Sequence, residues 1–345
     1  MMPGDAPITI IGGGLAGLAL GIGLRQHQVP VTVHEAGSYP RHRVCGEFIN
    51  GKGLRVLEKL ALRSRLEQAG AIIATTVQFR SQNASSPVRQ IPPAFCLSRY
   101  RMDHILAETF QQLGGTLLTG QRVPRSLAGG EVQASGRRAS PTAAGWRWFG
   151  IKAHARGIHL DADLEMHLST RGYIGVNRID ADLVNVCGLF RVRPGESPSG
   201  ARLDLLRQMA GASLRAKLEH AQFDEQSWCS VAGLCFQSHA RPADEQLCLG
   251  DAMTMIPPVT GNGMSMAFES AEIAIAPLTA YSRGQCSWTE ARRTIQRQCE
   301  AAFVTRLRWA ALLQALMFAP LVHSRLGAFL FKSDFLWNTM LSRTR

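Results

Sequence analysis

Between residues 8 and 19 a short β-branched run, Ile8-Thr9-Ile10-Ile11, meets Gly12-Gly13-Gly14-Leu15-Ala16-Gly17, and a small-residue apolar helix begins. Few local patterns constrain a chain more. Gly12 lets the backbone turn sharply off a strand, Gly14 lets it approach a pyrophosphate, and Gly17 lets the helix lie close to the sheet. Bound phosphates then face free N–H groups at the positive end of the helix dipole. A second strand, Val31-Thr32-Val33-His34-Glu35, ends in an acid about 20 residues further on, where a ribose hydroxyl needs an acceptor. The spacing predicts a βαβ unit over residues 8–36 that holds a dinucleotide.

The 345 residues suffice for one large domain or two interleaved ones. A hydrophobic content of 46% with 19% charged residues is that of a globular protein. The net charge of +12 rests on arginine, since only Lys52, Lys59, Lys152, Lys217 and Lys332 are lysines. The arginines are scattered without a dense basic run, so nucleic acid is not the expected partner, while an anionic membrane surface or a phosphorylated cosubstrate stays open. The eight cysteines form no CxxC pair and no zinc spacing. No metal is expected, and the reading is a reduced, cytoplasmic protein. No secretory leader is expected ahead of the first strand. The longest apolar run, 310–322, contains Gln314 and Pro320 and is too short to span a bilayer.

Further along, residues 51–69 carry helical spacing, 72–80 alternate like a strand, and 81–93, with Pro87, Pro92 and Pro93, read as turn or loop. A helix is expected over 101–113 and a strand over 116–118. Residues 158–168 alternate, with Leu160, Ala162, Leu164, Met166 and Leu168 on one face and His159, Asp161, Asp163, Glu165 and His167 on the other. That pattern predicts a half-buried antiparallel strand with a solvated face rather than a metal site. Two strands are expected over 173–192, a helix over 202–222, a strand over 246–250 and a long helical stretch from 263. The expected architecture is α/β: a discontinuous Rossmann-like domain (1–70, 95–140 and 240–320), an inserted, mainly antiparallel β substrate layer (71–94 and 141–239), and a helical extension (321–345).

Leu247-Cys248-Leu249-Gly250-Asp251 is a strand ending in Gly-Asp, and Pro258-Val259-Thr260-Gly261-Asn262-Gly263-Met264 opens a further helix. Asp251 at a strand end can accept from a sugar or ribityl hydroxyl. The N–H groups after Gly261 can stabilise negative charge on a reduced ring. Gly12-x-Gly14-x-x-Gly17 with Glu35, then Arg99-Tyr100-Arg101-Met102-Asp103, then Gly250-Asp251 with Pro258-x-x-Gly261-x-Gly263, together resemble the ordered motif set of FAD-dependent oxidoreductases, a superfamily of geranylgeranyl reductases, aromatic-ring hydroxylases and flavin halogenases. The resemblance implies that Gly12, Gly13, Gly14, Leu15, Ala16 and Gly17 lie against the pyrophosphate of FAD. It also implies Glu35 and Ala36 at the adenosine ribose, Arg99 beside the cofactor, Gly250 and Asp251 at the ribityl chain, and Gly261, Asn262, Gly263 and Met264 at the pyrimidine edge. Val132-Gln133-Ala134-Ser135-Gly136-Arg137 looks like the middle motif of the set, with Ser135 where an acid is usual, and no contact is carried over to it.

Arg43-Val44-Cys45-Gly46-Glu47-Phe48 is similar to the Cys-Gly segment of geranylgeranyl reductase-like proteins, which approaches the flavin from the substrate side. Cys45 and Glu47 are therefore candidate proton donors as hydride leaves the flavin. The alternative makes Cys45 a small buried residue and Glu47 a surface acid. Trp146-Arg147-Trp148-Phe149-Gly150-Ile151-Lys152 is partly similar to the Trp-x-Trp-x-Ile-Pro signature of flavin halogenases, but Lys152 replaces the proline and no lysine stands in the early substrate loop. It reads as a strand of the substrate layer, from which Lys152 or His154 can face an apolar pocket. The apolar stretches 310–318, 329–331 and 335–337 pack as helices over the FAD domain or form an interfacial face for a lipid-like substrate.

The leading expectation is an FAD-dependent oxidoreductase that passes a hydride from reduced FAD to a hydrophobic, isoprenoid- or polyketide-like molecule. The alternative is a monooxygenase hydroxylating an aromatic or quinone-like substrate with NAD(P)H and oxygen. With one dinucleotide fingerprint, NAD(P)H visits as a transient reductant or a separate electron donor supplies the electrons. Membrane contact, if made, is peripheral.

Overall fold

The computed structural model describes residues 5–82, 84–123, 129–137, 146–193, 195–196, 202–234, 236, 246–319 and 332–344. The chain opens with β1 (Ile8–Ile11), α1 (Leu15–Gln26) and β2 (Val31–Glu35), as the glycine pattern requires. Next come β3 (Phe48–Ile49), α2 (Gly51–Lys59) and α3 (Arg63–Gln68). The expected single helix over 51–69 is thus two, broken where Ala61 takes φ +56°.

β4 (Ile72–Arg80) pairs with β5 (Arg89–Cys96), so the stretch expected to be loop through residue 93 is strand from Arg89 onward. The register between them shifts at Ala74/Thr76, opposite the Pro92–Pro93 stretch. Prolines, which lack an N–H, are tolerated in a strand at such an irregularity. After α4 (Arg99–Gln112), β6 (Thr116–Thr119) and β7 (Glu131–Gln133) come the long strand β8 (Arg147–Arg156), then β9 (Leu164–Ser169), β10 (Gly172–Arg178) and β11 (Val184–Val192). Two short helices follow, α5 (Arg202–Met209) and α6 (Ala212–Glu219), parted at Gly211 where one helix was expected. The remaining elements are β12 (Gln222–Phe223), β13 (Cys229–Leu234), β14 (Leu247–Cys248), α7 (Gly263–Ser282), α8 (Trp288–Met317) and α9 (Asp334–Thr344).

The described strands form two sheets. The first runs β14-β7-β1-β2-β6, all parallel. Counted in chain order within that sheet, this is 3-2-1-4-5 read from β6, the doubly wound order whose ligand crevice opens where the strand order reverses, beside β1. α1, α4 and α7 cover it, and their apolar faces build one large core with Ile8, Ile10, Val33 and Val132. The second sheet runs β12-β8-β11-β10-β9-β4-β5-β3, with β13 paired to β8; β4 and β9 are parallel and the other pairs antiparallel.

The second sheet corrects the reading of 158–168. Strand structure starts only at Leu164, and the polar side is not wet: Glu165 is fully buried and His167 nearly so. α6 lies over that face, and its Lys217 bonds Glu165 Oε1 at 2.7 Å while His167 Nε2 donates to Oε2 at 2.9 Å. A buried carboxylate with two such partners is tolerated where an isolated one is not. Asp163, before the strand, accepts from the backbone N–H groups of Thr75 and Thr76. α8 begins on the core of the first sheet through Ile295, Cys299 and Phe303, and Phe318 beyond its end reaches the core of the second. Trp337 of α9 rests edge-on against Phe79 of β4. The C-terminal helix thus covers the second sheet, and the apolar stretch 329–331 lies outside the described residues. Among the described residues, no helix is long and apolar enough to cross a membrane.

Candidate active site

A cavity of about 1,530 Å³ runs from the ends of β1 and β2 to the second sheet and α9. Pockets for one drug-sized ligand occupy roughly 300–1,000 Å³, so this one has room for two molecules side by side.

The end of the cavity at β1 and α1 is made of backbone. Gly12 has φ +111°, and a Cβ there would sit 2.4 Å from the carbonyl oxygen of Ala134 at the end of β7. A Cβ on Gly17 would lie 1.9 Å from the Gly12 carbonyl oxygen, so the turn and helix are pressed together as the motif requires. Gly14 faces open space and α1 has no side-chain cap, which leaves its first N–H groups free for an anion. Gly12, Gly14, Leu15, Ala16, Glu35 and Ala36 border the cavity. Gly13 is turned away from it: its N–H donates to Glu35 Oε2 (2.9 Å) and its carbonyl accepts from Tyr39 Oη (2.5 Å). Glu35 is already engaged, taking the Gly37 N–H (2.9 Å) and Arg41 (2.6 Å) on Oε1. Burial pushes its carboxyl up, but these donors outweigh it and hold the group ionised below the usual range. A ribose hydroxyl would share this carboxylate with protein donors.

At the middle of the cavity Gly250 and Asp251 sit at the end of β14, and burial raises the Asp251 carboxyl, with Arg99 and Arg137 opposing. Gly261 takes φ +64° and α7 starts without a side-chain cap. Gly261, Gly263 and Met264 border the cavity, whereas Asn262 is fully buried and its side chain bonds that of Asn50, tying α7 to the start of α2. Ser135, Gly136 and Arg137 also border it, on the segment to which no contact was carried over. The signal was their place just after β7, beside the switch point.

Cys45 and Glu47 border the cavity where the two sheets meet, and the structure brings both close to Arg99. Glu47 is no surface acid. It is fully buried, at φ +53°, and holds three partners: His154 Nε2 at 2.7 Å, the Arg99 N–H at 2.8 Å and Lys152 Nζ at 3.3 Å. Burial alone would raise its pKa; the His154 hydrogen bond and the Lys152 charge outweigh burial and lower it. Lys152 also reaches His42 Nδ1 at 3.2 Å, and burial with the Lys152 charge pushes His42 down to about 4. The Arg99 guanidinium grips Asp103 with both prongs, at 2.6 and 2.8 Å. Burial pushes the Cys45 thiol up, so it stays protonated. The sequence pointed to Glu47, Lys152 and His154 separately but not to their pairing, and His42 had no role in that reading.

The wall opposite the ends of the parallel strands is one face of the second sheet. Registers align Asn177, Asn185 and His154 in one row across β10, β11 and β8. The next row is Met166, Gly175, Cys187, Lys152 and Cys229, and the next Leu168, Tyr173, Leu189, Gly150 and Val231. The face thus grades from polar, beside Glu47, to apolar, beneath α9.

No protein-family model matches the sequence, and no curated protein matches it. Solved structures share the fold. The flavin-dependent brominase Bmp2 superposes with a TM-score of 0.78 at 16% identity over 98% of this chain and 93% of its own. PqsL of P. aeruginosa, in complex with 2-aminobenzoylacetate, gives 0.71 at 15% identity over 94% of this chain and 100% of its own. The flavin-dependent halogenase CmlS gives 0.72 at 18% identity over 99% and 68%.

Proposed function

We propose that this protein is an FAD-dependent oxidoreductase that acts on a largely apolar small molecule, of the oxygen-using, monooxygenase type. The carrying observation is one continuous cavity that joins a dinucleotide-binding turn to the apolar face of the second sheet. The residues present fit FAD. Free N–H groups of α1 face the place of a pyrophosphate, Asp251 is a buried acid available to a ribityl hydroxyl, and the uncapped start of α7 offers N–H groups where a flavin ring becomes negative. FAD bound there supplies the redox chemistry. This chain's own residues orient it, exclude water through α8 and α9, and hold the substrate against the sheet. Likeness of fold to PqsL, described in another of its solved structures as a probable FAD-dependent monooxygenase, and to the two halogenating proteins supports the reading.

Glu47 argues against the hydride route as first drawn. A general acid needs a raised pKa, and this carboxyl is held ionised by three donors. Cys45 keeps a second reading alive, because its protonated thiol borders the cavity where a proton must arrive after hydride addition. Anaerobically reduced, FAD-loaded protein mixed with oxygenated buffer and followed by rapid-scan absorbance separates the two. The oxygen-using reading expects a transient spectrum unlike either reduced or oxidised flavin. Direct, slow return to oxidised flavin, with and without candidate aromatic substrates, would contradict it. Reduction by NAD(P)H in the same instrument tests the expected transient reductant; a protein that only a separate reductase can reduce points to the other donor.

A further inference from the structure

Within the graded wall, one position stands out in each of two neighbouring strands. From residue 172 to 177 of β10 only Gly175 is not buried, and from 184 to 190 of β11 only Cys187 is not. The two are cross-strand partners, and both border the cavity. A glycine in a strand interior gives up side-chain packing and marks places where a ligand or another backbone comes close. At Gly175 a Cβ would point into the cavity, meeting only Met166 Sδ at 3.3 Å and the Cys187 carbonyl oxygen at 3.9 Å. One row over, Gly150 also borders the cavity, but its space is filled by Val44 and Val231, whose Cγ1 atoms a Cβ there would meet at 2.9 and 3.1 Å, so the open position is Gly175. Two residues before Gly175, on the same side of β10, stands Tyr173. Tyr173 is 5% exposed and borders the cavity, and its buried hydroxyl has no hydrogen-bond partner among the described residues. Burial raises this phenol well above its ordinary pKa and Cys187 adds to the rise, so the group is a neutral O–H donor. A buried hydroxyl left unpaired is costly and calls for a partner.

We propose that Gly175 and Cys187 form the floor of the substrate site and that the Tyr173 hydroxyl donates to the substrate, which is a flat, mostly apolar molecule carrying a hydrogen-bond acceptor. This rests on the function proposed above and specifies its substrate class. The flat floor accepts a ring face-on, Leu168, Leu189 and Val231 of the Tyr173 row enclose its apolar edge, and Tyr173 reads its acceptor. A flexible isoprenoid chain would not need the opening that Gly175 leaves between Met166 and Cys187.

The test uses two probes of one shape, 1-tetralone and tetralin, titrated against oxidised, FAD-loaded protein and followed by the flavin absorbance change and tryptophan quenching. Wild type is expected to bind the ketone about fivefold or more tightly than the hydrocarbon, the weight of one neutral hydrogen bond. Tyr173→Phe brings the ratio to about one without changing the tetralin affinity. Gly175→Leu weakens both probes by about tenfold or more, and Gly175→Ala, the milder variant, does so by less. FAD content and thermal midpoint report whether each variant is folded. Equal affinity for the two probes in wild type, no detectable binding of either, or a preference that survives in Tyr173→Phe overturns the proposal. So does unchanged binding in folded Gly175 variants. Failure of wild type to hold FAD contradicts the functional reading instead, and the two failures are distinct.

Discussion

The two sheets build their halves of the cavity by different means. The parallel sheet offers the ends of its strands, where backbone N–H groups, glycines and a single acid converge within a few residues of sequence. The second sheet offers a face, where each row of side chains comes from three to five strands. A local turn forms its site almost wherever it occurs, because the chemistry is in the main chain. A sheet face exists only when register aligns residues far apart in the chain, and a one-residue slip replaces the whole set. The first half is therefore rigid in purpose, and the second is where related folds can change substrate without altering the cofactor site.

Substitutions can break that contrast, and the largest effect belongs to the parallel sheet. Gly17→Val puts carbon where the Gly12 carbonyl oxygen stands, at 1.9 Å. FAD retention after desalting should fall by about a hundredfold or more, and normal retention would show that the turn does not carry the pyrophosphate. Next comes Glu47→Ala, which leaves Lys152 buried and unpaired beside His42 and should cost about 3–5 kcal/mol in urea unfolding. Glu47→Gln, which keeps the shape, should cost less. A smaller effect is the pH dependence of Glu165, held down to about 2 by His167 and Lys217 against burial. Because the folded value is depressed, its stabilisation is complete above the unfolded value and lost as pH falls toward 2. Glu165→Gln should flatten the unfolding free energy between about pH 4.5 and 2, and an unchanged slope would place the acid sensitivity elsewhere. The smallest is Asp334→Ala: this exposed acid meets Arg89 at 2.5 Å, and its loss should shift the thermal midpoint by under about 1 kcal/mol equivalent.

The sequence showed the parallel sheet nearly whole. Ile8–Gly17 and Val31–Glu35 are contiguous, and each residue's role follows from its neighbours. Even there, Gly13 and Asn262 turned out to bond protein groups rather than border the cavity, since a motif names positions and not the direction of a side chain. On the second sheet, alternation at 158–168 suggested one wet face, because the pattern of a strand does not say what packs over it. Lys217, some 50 residues later, turned a solvated acid into a buried one. Glu47 was picked for its neighbourhood, but its partners Lys152 and His154 lie about a hundred residues away, and only register on β8 brings them together. Pro92 and Pro93 hid a strand whose irregular register accommodates them.

The most direct measurement is a fluorescence titration of cofactor-free protein with FAD and, separately, with riboflavin, which has the same ring but no pyrophosphate or adenosine. The account predicts one FAD per chain and riboflavin weaker by about a hundredfold or more, because the free N–H groups at the start of α1 and the carboxylate of Glu35 hold the part that riboflavin lacks. Equal binding of the two, or no binding of FAD, would contradict it.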